Sequence, residues 1–184
     1  MTGSAPLTES VMVRAAPLTA YTAVSDVTRM GRWSPESRGA WVLGGRGPAR
    51  VGTRFVGINR ASWLPWTTLC TVVAAEPGVR FSFEVGFLGV ALSRWTYRFT
   101  EVPGGCEVTE EWLDLRSGVS GRLITAAAPA VTGVVRRRER NRATMRTTLA
   151  ALRTDLEGGV AGACGPGAAG APEAAPASQR DLRR

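Results

Sequence analysis

Histidine and lysine are absent from the 184 residues, and cysteine occurs three times. Without histidine there is no Ser–His or Cys–His nucleophile pair, no imidazole general base and no histidine metal site. Without lysine there is no Schiff-base chemistry. Cys70, Cys106 and Cys164 stand far apart, in no metal-binding or redox spacing. They read as core or exposed free thiols in a reducing compartment, and neither a metal nor a cofactor is expected. Long apolar runs are missing too. The longest candidate, 123–135, is interrupted by Pro129 and Gly133 and falls short of the ~18 residues of a membrane span. Residues 1–10 lack the basic start and apolar stretch of a secretory leader. A cytoplasmic location without stable membrane insertion is the expectation.

The charge that is present is one-sided. There are 23 basic residues against 15 acidic ones, a net charge of +8, and every basic residue is arginine. Uniform arginine alongside abundant Ala, Gly and Val carries the mark of coding bias, which weakens basicity as a sign of a nucleic-acid partner. With 44% apolar residues the chain suits one globular domain.

Alternation of Val11 and Val13 with polar neighbours predicts a strand over 9–15. Pro17 then opens a helix, being tolerated in a first turn. A second short helix over 27–33 is closed by Ser34-Pro35. The period then changes to two, with strands over 40–43, 53–60, 66–75, 79–85, 91–102 and 106–115. The breaks between them hold Pro77-Gly78, 86–89 and Pro103-Gly104-Gly105, which are hairpin signals. Strands in succession joined by short turns make an antiparallel meander. Residues 120–157 read as one long helix kinked at Pro129. Ala127, Val131, Val134, Met145, Leu149, Leu152 and Leu156 share one face of it, and Arg136, Arg137 and Arg140 lie opposite, towards solvent. Residues 1–8 form a flexible N-terminus, 9–157 the domain, and 158–184 a disordered Gly/Ala/Pro-rich tail. The result is an α+β fold in which a sheet of about seven strands curls around the C-terminal helix and leaves room between them for a ligand.

Within that frame, Ser93, Trp95, Tyr97 and Phe99 share the face of their strand that looks into the cavity. On the last strand, Glu110 shares the inward side with Val108 and Trp112. Two readings of Glu110 stand: a carboxylate paired with arginine at the cavity rim, or a carboxyl group with a raised pKa, usable as acid or base. Arg138 and Asn141 interrupt the apolar face of the long helix between Val134 and Met145. A buried arginine demands an anion, which Glu110 or a ligand would supply. Asn59 shares a face with Phe55 and Gly57, Trp66 and Thr68 line the next strand with Cys70, and Phe83 follows. For each aromatic, core packing and ligand contact are both open. The turns with Trp63-Leu64-Pro65 and Phe87-Leu88 are apolar where hairpin tips are normally polar. They either cap the core or form a lid through which ligand passes, with transient contact to a membrane or carrier.

Ser25-Asp26-Val27 with Trp33-Ser34-Pro35-Glu36, Gly52-Thr53-Arg54-Phe55, Asn59-Arg60, Trp66-Thr67, Ala75-Glu76-Pro77-Gly78 and 105–110 (GCEVTE) together resemble the START-like (SRPBCC) superfamily. The branch most similar is that of polyketide cyclase/dehydrase and lipid transport, over residues 9–157. The resemblance implies a helix-grip fold and places Trp33 and Glu36 at a pocket edge. It also implies an apolar or aromatic, lipid- or polyketide-like small molecule as partner, while the fold does not choose between carrier and enzyme. The ligand-binding set is then Trp33, Glu36, Phe55, Asn59, Trp66, Thr68, Phe83, Trp95, Tyr97, Glu110, Trp112, Arg138, Asn141 and Met145. An aromatase/cyclase-like enzyme would use Glu110, Tyr97, Asn59 and Arg138 for positioning and proton transfer. Nucleic-acid binding through 136–146 is disfavoured, because no second helix positions that segment and no aromatics interleave its arginines.

Overall fold

The computed structural model describes residues 5–45, 48–61, 64–87 and 89–163. Strand β1 (Leu7–Val13) leads into α1 (Pro17–Ser25), with Pro17 in its first turn, and a 3-10 helix (Val27–Arg32) whose start is capped by the Asp26 carboxylate. Strands β2 (Ser37–Leu43), β3 (Arg54–Arg60), β4 (Pro65–Glu76), β5 (Arg80–Phe87), β6 (Val90–Val102) and β7 (Gly105–Asp114) follow. All join one antiparallel sheet in the order β1-β7-β6-β5-β4-β3-β2. The first strand closes onto the last, with Leu7 opposite Trp112 and Val13 opposite Cys106. β1 starts at Leu7, which is buried, inside the stretch 1–8 predicted as flexible. Residues 1–4 lie outside the described residues.

Register shifts at Ser37/Gly39, Val72/Ala74 and Val85/Gly86 mark bulges, which bend and twist the strands that carry them. The sheet curls accordingly, and its two faces differ in kind. On the convex face, Arg94 pairs with Glu84 at 2.6 Å and Arg98 with Glu111 at 2.9 Å. Such exposed pairs contribute ~0–1 kcal/mol each and keep the face wet. The concave face carries Phe81, Phe99 and Val108, covered by Tyr21 of α1 and by Leu149 and Leu152 of the C-terminal helix. Tyr21 stands edge-on to Phe81 and Phe99, with centroids 6.2 and 5.8 Å away. This is a helix-grip fold.

The single long helix of the sequence reading is two: α2 (Gly118–Thr132) and α3 (Arg137–Ala163). Pro129 is absorbed within α2. The break falls at Gly133, whose left-handed φ of 69° and N–H bond to the Pro129 carbonyl (2.8 Å) cap the helix, a conformation that favours glycine. The helical phase set on α2 does not carry across. Arg137, Asn141 and Thr144 of α3 face the sheet's open end, whereas Arg138, Arg142 and Arg146 run along β1. There Arg138 donates to the Ala5 carbonyl at 3.0 Å, and Arg142 and Arg146 reach Glu9 at 3.4 and 3.0 Å. α3 continues past Glu157 to Ala163, into the stretch 158–184 predicted as tail. Residues 164–184, Cys164 among them, lie outside the described residues, as does the Val131 side chain. Among the described residues no helix is long and apolar enough to cross a membrane.

Candidate functional site

α1 and the leucines of α3 cover one part of the concave face, and the remainder encloses a cavity of about 330 Å³. Its wall is mostly apolar. Phe55 and Phe83 meet edge to face at 5.4 Å, and Trp95 and Trp112 are tilted together at 6.5 Å. β3 and β4 supply Gly57, Asn59, Thr68 and Cys70, the 3-10 helix and the link after it supply Val27, Met30 and Glu36, and α3 supplies Arg137, Asn141 and Thr144.

Two polar groups meet in this wall. Tyr97 of β6 lies directly opposite Glu110 of β7, so both side chains project inward, and the phenol donates to Glu110 Oε1 at 2.6 Å. No arginine reaches the carboxyl group among the described residues, and its second oxygen, Oε2, is buried without a partner. Burial pushes the Glu110 carboxyl up to about 8, against the lowering effect of the Tyr97 bond. Burial, and then the neighbouring Glu110, hold the Tyr97 phenol well above its ordinary value. Both shifts favour the protonated, uncharged forms of the pair. On the far wall, Asn59 Nδ2 donates to Thr68 Oγ1 at 3.2 Å. Cys70 beside it is pushed up to about 11, chiefly by burial, so its thiol stays protonated and unreactive. At the link into α2, Arg116 grips Asp114 through Nε and Nη2, at 2.9 and 2.6 Å. Burial would raise the Asp114 carboxyl, but the Arg116 hydrogen bonds hold it below its ordinary value.

Residues 4–157 match the model of the family described as polyketide cyclase/dehydrase and lipid transport. The chain belongs to that family. A polyketide-cyclase-like protein of Corynebacterium glutamicum, known from its solution structure, is 27% identical, with a TM-score of 0.55 over 87% of this chain and 96% of its own. The di-domain ARO/CYC proteins BexL and StfQ are 20% and 15% identical, with TM-scores of 0.59 and 0.61 over 83% and 85% of this chain. The match spans about half of each of those chains, 50% and 51%. They share its fold. No functionally curated protein matches.

In this polyketide cyclase/dehydrase and lipid transport domain, the cavity gathers most of the side chains expected from the sequence. Glu36, Phe55, Asn59, Trp66, Thr68, Phe83, Trp95, Tyr97, Glu110, Trp112 and Asn141 all line it. Three others do not. Trp33 is packed in the core under the Arg29 guanidinium, 5.5 Å above its ring. Met145 is fully buried behind the wall, against Leu7 and Trp112. Arg138 is exposed at Ala5 rather than paired with Glu110, because its flank of α3 lies over β1. In its place Arg137, expected towards solvent, turns inward and pairs with Glu36 at 2.5 Å. Arg140, also expected towards solvent, reaches the same carboxylate at 3.2 Å. The rim reading of Glu110, with an arginine partner, is thereby replaced by a buried carboxyl group bonded to Tyr97. Of the apolar hairpin tips, Phe87 lines the cavity and is half exposed, while Trp63 and Leu88 lie outside the described residues.

Proposed function

We propose that the protein binds a mostly apolar or aromatic small molecule, lipid- or polyketide-like, in the cavity between sheet and C-terminal helix. The observation that carries this reading is an aromatic-walled cavity with a buried, hydrogen-bonded polar pair, Glu110 and Tyr97. Its volume sits at the lower end of the ~300–1,000 Å³ usual for small-molecule sites, which suits a compact ring system better than a long acyl chain. The partnerless Glu110 Oε2 is a position where a ligand polar group would relieve a cost of ~1–3 kcal/mol. A nucleic-acid partner is disfavoured because four of the α3 arginines are ion-paired within the chain, Arg137 and Arg140 with Glu36 and Arg142 and Arg146 with Glu9. Two buried free thiols, Cys70 and Cys106, fit work in a reducing cytoplasm.

A second reading, an aromatase/cyclase-like enzyme, is favoured by the same pair. A carboxyl group raised to about 8 is matched to proton transfer near neutral pH. Arg138 leaves the set of residues such a mechanism would use.

Binding is tested by closing the cavity from within. A Cβ on Gly57 points among Thr68, Asn59 and Cys70, its tightest contact being the Thr68 hydroxyl at 3.0 Å. Thr68 can give way by turning about its Cα–Cβ bond, at the cost of the hydrogen bond from Asn59, so Gly57→Leu is expected to fold and to fill part of the space. Affinity for N-phenyl-1-naphthylamine, read by its fluorescence, should fall about tenfold or more, a loss of ~1.4 kcal/mol. Unchanged affinity in a folded variant would place the dye elsewhere.

A further inference from the structure

The end of the cavity beside the start of α3 is built differently from the rest. Glu36, its side chain 12% exposed, takes Arg137 Nη1 at 2.5 Å and Arg140 Nε at 3.2 Å. Arg140 Nη2 also donates to the Ala61 carbonyl at 3.0 Å, which ties α3 to the turn after β3. The Arg137 guanidinium lies 5.6 Å over the Trp66 ring, at a site where its side chain is 25% exposed. Glu36, Trp66 and Arg137 all line the cavity. Two guanidinium groups thus share one carboxylate, and the first-turn N–H groups of α3 add positive potential at the same place. At the link into α2 the balance is even, since Arg116 is matched by Asp114. Arginine carries five N–H donors, and the Glu36 contact uses one of those on Arg137.

We propose that this end of the cavity is an anion subsite, in which Arg137 takes an acidic group, a carboxylate or sulfonate, carried by an otherwise apolar ligand. It rests on the cavity being a ligand site and adds the charge of what enters. Trp66 and Glu36 position the guanidinium, and Arg140 shares in neutralising Glu36. The Glu36 contact leaves other N–H groups on Arg137 to meet a ligand acid. The Glu110–Tyr97 pair, which burial holds towards its uncharged forms, lies further along the wall, so the ligand is acidic at one end and neutral at the other.

Two dyes with the same aromatic body test this. 1-Anilinonaphthalene-8-sulfonate differs from N-phenyl-1-naphthylamine by its sulfonate alone. The native protein is expected to bind the sulfonate more tightly than the neutral dye. Arg137→Gln should lower the ratio of sulfonate to neutral-dye affinity about tenfold, the low end for a hydrogen bond to a charged group. Glu36→Gln, which frees both guanidinium groups from their counter-charge, should raise that ratio. A sulfonate-to-neutral ratio that is the same in all three proteins overturns the subsite while leaving the cavity as a ligand site. Equal loss of both dyes in Arg137→Gln, with a lowered melting temperature, makes Arg137 structural and also overturns it. If neither dye binds the native protein, the ligand-site reading falls and the subsite falls with it.

Discussion

Replacing Glu110 with glutamine is expected to stabilise the protein, and by more as the pH rises from about 5 to about 8. In the unfolded chain the carboxyl group ionises near its ordinary value of 4.5, whereas burial in the folded protein delays ionisation to about 8. Between those values the folded state holds a proton that the unfolded state has released, so each unit of rising pH lowers stability. Below 4.5 both states are protonated and nothing is lost; above 8 both are ionised and the cost is complete. Its size is on the order of 5 kcal/mol, a large share of the ~5–15 kcal/mol that holds a domain together. Glutamine keeps the shape, still accepts from the Tyr97 hydroxyl, and does not titrate. With no histidine in the chain, no imidazole blurs this window. Urea unfolding of both proteins at several pH values should give matching stabilities near pH 4.5 and a gap that widens towards pH 8. A gap independent of pH would mean that Glu110 is solvated. The same variant separates the two functional readings: a catalytic carboxyl group predicts lost turnover with retained binding, whereas a binding protein has no turnover to lose.

Leu152→Ala is expected to cost ~2–5 kcal/mol and to lower the melting temperature by on the order of 10 °C. Leu152 is fully buried in the main core cluster with Leu149, Phe81 and Val108, where α3 meets the sheet. The loss should reach the cavity as well, since α3 places Arg137, Asn141 and Thr144 in its wall. Val135→Ala, at a side chain 81% exposed, is the control and should change little. A cost below ~1 kcal/mol for Leu152→Ala would mean that α3 does not grip the sheet.

Much of this could be read from the chain alone. Strand faces were legible because Trp95, Tyr97 and Phe99 alternate with Arg94, Thr96 and Arg98, and in the structure the first set faces inward and the second outward. The inward aim of Glu110 followed in the same way from Val108 and Trp112. Its partner was also within reach. Val102 opposite Gly105 sets the register of the whole β6–β7 hairpin, so a two-residue turn at Pro103-Gly104 already puts Tyr97 against Glu110. The arginines of α3 were not legible, because a helical count from Val131 runs through Gly133, where the helix ends and its phase is lost. Trp33 and Met145 show a different limit. Local pattern says that a side chain points inward, but not whether α1 and α3 leave space beside it or pack upon it.

The central claim, that the cavity is where a small molecule binds, is met most directly by the tryptophan indole N–H signals in an NMR titration with N-phenyl-1-naphthylamine. Trp66, Trp95 and Trp112 line the cavity, Trp33 is sealed in the core, and Trp41 is 73% exposed on the opposite face of β2. Saturable shifts of the first three, with Trp33 and Trp41 unmoved, are the predicted result. Shifts confined to Trp41, or none at a saturating dye concentration, would contradict it.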